Sequence, residues 1–281
     1  MRHSLRVLLG LGLALSAAGC SDYLSGPGIS STSDPNNVIA LSKPGPLYIA
    51  IQQAGVPQHQ GQAARDAVQY VQQTAGISRQ SIGFDLYQTS PNDMDAYFGA
   101  IYGSTNNLTG GGGLLDIHKM QQLARTKGDS LYIGVGKIYE AIGVGLGADI
   151  WGDIPYRTAV DSNIPQPTYD PQLQVYGDIQ TQLDSAITVF LAAAGVSNVG
   201  GSLDGSELIY GGRDAAGLRA VYTAVAHSLR ARYYLHVGDY ANAAAQAAQG
   251  ISTPDDDFLW FASSEPGGPS STNRTATPSS I

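Results

Sequence analysis

The 281-residue chain has one cysteine, Cys20, so no disulfide can close within it. Zinc-type Cys/His spacing is also missing, and no cluster of Lys or Arg offers a footprint for nucleic acid or anionic lipid. The apolar run from Val7 to Ala18 is too short for a comfortable membrane crossing. There is no Gly-x-Ser-x-Gly elbow, no His-Glu-x-x-His helix and no paired-carboxylate signature, so nothing in the sequence argues for an enzyme. The glycine run ending at Gly113 has no Lys-Ser/Thr after it and no strand before it. It reads as a flexible connection between helices, not a phosphate loop. Gly143, Gly145 and Gly147 lie mid-helix, which rules out the strand-turn-helix setting of a dinucleotide site.

The amino terminus supplies a basic start at Arg2 and Arg6, the apolar run, and small residues just before Cys20. This is the pattern of an export signal over residues 1–19, with Cys20 as the lipidated first residue of the mature chain. The alternative is ordinary cleavage near Ala18 with an incidental thiol. Loss of Arg2 and Arg6 takes two from 15 basic residues and none from 23 acidic ones, so the net charge of −8 becomes −10. Residues 20–36, rich in Ser, Gly, Asp and Pro, have too few apolar side chains to fold and read as a tether. Two or more acyl chains on Cys20 would be the only contact with membrane.

Apolar periodicity predicts helices near 59–74, 92–108, 114–127, 130–150, 170–193, 214–237 and 239–250, with few strands, so the fold class is all-α. The central element is 130–150. Leu131, Val135, Ile138, Ile142, Leu146 and Ile150 recur every three or four residues, and Gly134, Gly136, Gly143, Gly145 and Gly147 interrupt it. Each glycine costs roughly 1 kcal/mol against alanine, a cost that makes sense where neighbouring helices must approach the backbone. Trp151-Gly152-Asp153-Ile154-Pro155-Tyr156 then forces a turn, with Trp151 and Tyr156 expected to clamp it. In the next helix Asp170 is expected to cap and Pro171 to take the first position, with a buried stripe running from Val175 to Leu191. Helices 214–237 and 239–250 form a hairpin at Gly238-Asp239, and Ala243, Ala244, Ala247 and Ala248 suit tetratricopeptide-like nesting.

The long helix running into Asp149-Ile150-Trp151-Gly152-Asp153-Ile154-Pro155-Tyr156 and the later Pro-Thr-Tyr-Asp-Pro segment resemble the SusD/RagB family of outer-membrane lipoproteins. Leu208-Ile209-Tyr210-Gly211-Gly212, followed by the helix carrying His227 to Leu235, and the lipoprotein-type start agree with it. The resemblance covers most of residues 20–261. It implies degenerate tetratricopeptide-like helix pairs packed against an irregular, loop-rich region. It also implies a cell-surface glycan-binding protein, without cofactor, that hands its ligand to a SusC-like TonB-dependent transporter. Family members run to about twice this length, so residues 37–261 are expected to be an incomplete helical domain, followed by a polar tail at 262–281.

Other readings stay open: a peptide ligand, a helical scaffold lipoprotein without ligand, or, third, an α-helical glycoside hydrolase. The ligand-binding candidates are Arg79, Asp85, Tyr87 and Asn92 in the segment from Ile77 to Asn92, with Trp260 near the end. An aromatic beside a guanidinium, a carboxylate and an amide can orient sugar hydroxyls. Sixteen tyrosines against five phenylalanines and two tryptophans favour such chemistry, although most will serve helix packing. Glu140 is expected to face Lys137 or solvent, and His118 and His227 to be packing or surface residues. Asp255 to Asp257 lack the alternation of a calcium loop and read as a solvated acidic turn.

Overall fold

A computed structural model describes residues 43–57, 63–103, 111–193 and 203–259. Nine α-helices lie among them: α1 (Gly45–Pro57), α2 (Ala63–Tyr70), α3 (Gln80–Asp85), α4 (Asp95–Tyr102), α5 (Leu114–Lys127), α6 (Ser130–Trp151), α7 (Gln172–Ala192), α8 (Ala215–His236) and α9 (Tyr240–Ala247). No strand longer than a single bridge, between Ile154 and Asp170, occurs among the described residues. The protein is all-α. Among the described residues no helix is long and apolar enough to cross a membrane.

Helix α6 runs through the middle and is buried nearly all round. Leu131, Val135, Ile138 and Ile142 lie in the core, and so do Tyr132, Tyr139, Glu140, Ala141 and Val144 from its other faces. Asp129 caps it, and Gly128 closes α5 with φ 67°, so α5 and α6 fold back on one another. Lys137 reaches Gln182 (2.8 Å), while Ala148 accepts from Gln172 (2.7 Å), which sets α7 antiparallel to α6. Tyr233 of α8 donates to the Ala141 carbonyl (3.0 Å), and His227 meets Gln246 across the α8/α9 hairpin (2.7 Å).

The glycines explain the closeness. An added Cβ would overlap the Phe190 ring at Gly134, Gln121 and Met120 at Gly136, the Tyr233 hydroxyl at Gly145, and Ile101 and Ile154 at Gly147. Gly143 differs from the expectation: its Cβ would point into open space.

Other expectations need correction. Residues 45–57, unassigned by periodicity, form α1, and it buries Leu47, Tyr48, Ile51, Gln52 and Ala54. Gly112 and Gly113, expected to be flexible, are wedged against Ala50 and Gly103, where no side chain would fit. The α7 stripe ends early, with Leu191 exposed and Phe190 buried in its place, and Ile150 leaves the core of α6. Asp256, expected in a solvated acidic turn, takes an ion pair from Arg213 at 2.8 Å, and its carbonyl accepts from Tyr210. Asp170 does not cap α7, and Pro171 stands at the cap position just before the helix and not at its first residue. The Asp170 carboxylate is drawn instead to the turn after α6.

Candidate functional site

The turn after α6 and the segment before α7 exchange carboxylates. Ile154 and Asp170 pair through two backbone hydrogen bonds (2.9 and 3.2 Å). Asp170 Oδ2 then accepts from the backbone N–H groups of Tyr156 (3.0 Å) and Arg157 (2.8 Å). In return Asp153 Oδ1 accepts from Gln172 N (2.9 Å), satisfying an open donor at the start of α7. Gly152 turns the chain with φ 76°. Trp151, half-buried, sets its ring edge-on to Phe98 at 5.3 Å, and the Pro155 carbonyl accepts from the Tyr102 hydroxyl (2.8 Å). With the backbone fixed in this way, Tyr156 points inward and Arg157 outward.

Tyr156 Oη donates to Oε1 of Glu140 at 2.8 Å. His118 of α5 stands 3.4 Å from the same oxygen, and Gln121, itself held by Arg125 (2.9 Å), donates to Oε2 at 3.1 Å. Glu140 is only 4% exposed and faces these groups, not solvent or Lys137, because α5 presents donors one turn apart to the carboxylate. Burial alone would raise its pKa. The hydrogen bonds from His118, Tyr156 and Gln121, with the attraction of His118, outweigh burial and hold the carboxyl below its ordinary value. Burial, then Glu140, push the Tyr156 phenol up, so it stays a donor.

These groups floor an open cleft of about 380 Å³ lined by His118, Glu140, Tyr156, Arg157, Asp178, Thr181 and Gln182. Arg157 forks onto Asp178 at 2.8 and 3.0 Å at the rim. Both carboxylates, Glu140 on the floor and Asp178 at the rim, can accept hydrogen bonds. Among the described residues no group of three His, Cys, Asp or Glu side chains is placed to hold a metal ion.

The residues expected to bind ligand lie elsewhere. Arg79 precedes α3 with φ 51°, Asp85 ends that helix, Tyr87 follows with φ 56°, and Asn92 sits in a short 3₁₀ turn, Pro91–Asp93. Within this described segment no hydrogen bond joins Arg79, Asp85 and Asn92 to one another. Tyr87 is 56% exposed, yet its hydroxyl donates to the Tyr70 carbonyl (2.9 Å) and its ring lies 5.9 Å from that of Tyr70. Tyr70 is in turn braced by Phe84 and bonded to Thr89 Oγ1 at 2.7 Å. The segment is thus an ordered shelf with an exposed ring, flanked by exposed Ile77, Ile82 and Leu86. Cys20 and Trp260 lie outside the described residues.

Sequence reasoning missed Glu207. Its carboxylate, buried, accepts from Tyr48 (2.8 Å), Tyr222 (2.9 Å) and the backbone N–H groups of Ile209 and Tyr210. The two hydroxyls also meet at 2.7 Å. Burial, then Glu207, drive the pKa of both phenols well up. This knot ties α1 to α8, so Glu207 serves the core. The only signal was its position just before Leu208 to Gly212.

Comparison with known proteins fits this architecture. Residues 35–255 match the SusD-like family model described as "Starch-binding associating with outer membrane". Among solved structures, a chitin-binding protein is similar at 20% identity and a TM-score of 0.60, over 78% of this chain and 46% of its own. A SusD/RagB family protein from Bacteroides thetaiotaomicron (17%, TM-score 0.56) matches 76% of this chain and 44% of its own. A SusD homologue from Bacteroides fragilis (16%, TM-score 0.57) matches 80% and 45%. The chain therefore spans under half the length of these solved proteins. No curated protein matches it.

Proposed function

The chain belongs to the SusD-like family, and from that premise we propose that it is a noncatalytic, lipid-anchored binding protein of the outer-membrane surface. It captures an oligosaccharide and passes it to a SusC-like TonB-dependent transporter. One observation carries the capture step: Tyr87 presents an exposed ring whose orientation is fixed by its bond to Tyr70, in a backbone conformation unfavourable to a bulky residue. Strain held at an exposed aromatic suits a preorganised stacking surface, because little rotamer freedom is lost when a sugar ring settles on it. Arg79, Asp85 and Asn92 on the same shelf supply donors and acceptors for hydroxyl groups. The family description, starch-binding, agrees with this ligand class.

The reading is tested with the recombinant protein on an array of glucans, chitin oligosaccharides and peptides. Saturable binding to one glycan class is expected, and absence of any glycan binding overturns the assignment. Anchoring is tested separately. Cys20→Ala should release the mature protein from the membrane fraction, since acyl chains are proposed as its only anchor. A variant that still pellets with membranes removes the lipoprotein assignment.

A further inference from the structure

We infer that the cleft between α5, α6 and α7 is a second sugar subsite, one that takes the hydroxyl edge of a single neutral pyranose ring. The inference rests on the carbohydrate reading above but on different residues. The volume, about 380 Å³, lies within the usual range for small-molecule sites. Charge selects the ligand class. Glu140 and Asp178 each already face a basic side chain, His118 at 3.4 Å and Arg157 at 2.8 Å. A charged ligand would upset that balance, whereas a neutral one leaves it intact.

Hydrogen-bond chemistry narrows the class further. The lining mixes acceptors (Glu140, Asp178, the Thr181 oxygen) with donors (His118, Arg157, the Gln182 amide) around one opening. A hydroxyl group both donates and accepts, so vicinal hydroxyls can donate to a carboxylate while accepting from a neighbouring N–H. Glu140 has room for this, because Oε2 receives only the Gln121 bond among those it makes. The Tyr156 ring is buried and offers no face for stacking. The cleft therefore reads a sugar edge-on, in contrast to the exposed ring of Tyr87.

The test uses ¹⁵N-labelled full chain titrated with D-glucose and with maltoheptaose. D-glucose should shift the Gln182 side-chain amide and the Thr181 backbone amide saturably. Thr181 is an exposed position on α7, so Thr181→Phe blocks the opening without removing any member of the Glu140 network. That variant should lose at least about tenfold in glucose affinity, whereas Thr188→Phe, the same change two turns further along α7 and outside the cleft lining, should leave it within about twofold. Glucose binding by Thr181→Phe equal to that of the parent overturns the subsite. So do shifts confined to Tyr87 and its neighbours, in which case the carbohydrate reading survives. If the parent binds neither sugar, both fall.

Discussion

Tyr156 and Glu140, 16 residues apart, meet through a 2.8 Å hydrogen bond that ties the turn after α6 back onto α6 itself. The bond completes a set of donors around a buried carboxylate, and it makes acid sensitivity a property of this cluster. Glu140 titrates below its ordinary value of 4.5 in the folded protein. Its contribution to stability is therefore complete above that value and is lost as pH falls through the carboxylate range. Tyr156→Phe should cost about 1–3 kcal/mol near neutral pH, because a buried acceptor loses a donor. It should also flatten the fall in stability as pH drops through and below 4.5. Urea midpoints across that range decide the matter, and an acid slope identical to the parent's would show that the phenol does not support the charge.

The carboxylate exchange on the two sides of this turn gives an ordering. Asp170→Ala strips the acceptor from two backbone N–H groups, one on buried Tyr156, and should cost about 2–3 kcal/mol. Asp153→Ala removes one cap-like bond at an exposed helix start and should cost about 0.5–2 kcal/mol. Denaturant unfolding of the two variants side by side measures this. A greater loss at Asp153 would mean that the start of α7, not the docked turn, limits stability.

Glycines in α6 separate close packing from mere tolerance. Gly134→Ala and Gly145→Ala drive a methyl into Phe190 and Tyr233 and should each destabilise by about 1–3 kcal/mol. Gly143→Ala meets nothing and gains helix propensity, so it should stabilise by about 0.5–1 kcal/mol. Thermal melts of the three single variants suffice, and a destabilised Gly143→Ala would contradict the open space beside it.

These contrasts show what was legible before the structure. The stripe of α6 and the small residues inside it announced a buried helix with tight neighbours, since period and composition are local properties. Helix α1 carries a comparable stripe at Leu47, Tyr48, Ile51 and Ala54, but Pro44, Gly45, Pro46 and Pro57 mark its ends as breakers. Proline is tolerated in a first turn, and that rule should have prevailed. Asp170 misled because a carboxylate before Pro171 has the form of a cap, whereas a strand-like bridge to Ile154 brought two other N–H groups within its reach. The cleft was the least legible. Glu140 meets His118 across 22 residues and Tyr156 across 16, and no spacing rule links groups that only helix packing brings together.

At Tyr87 the question is whether an exposed ring serves a ligand or the fold. The ring contributes little buried area, and its one tether, to the Tyr70 carbonyl, lies on an exposed shelf. Tyr87→Ala should therefore lower the melting temperature only slightly. By analogy with aromatic stacking on bases, the variant should weaken maltoheptaose binding by about 1–3 kcal/mol. Tyr87→Phe discriminates further. It keeps the stacking face and loses only the tether, so affinity should fall by less than in Tyr87→Ala, with the loss arising from a ring free to change rotamer. Calorimetry on both variants, paired with melts, separates a ligand-facing ring from a packing one. Full affinity in Tyr87→Ala with a markedly lower melting temperature would place Tyr87 among the packing residues and leave the shelf without its proposed ligand.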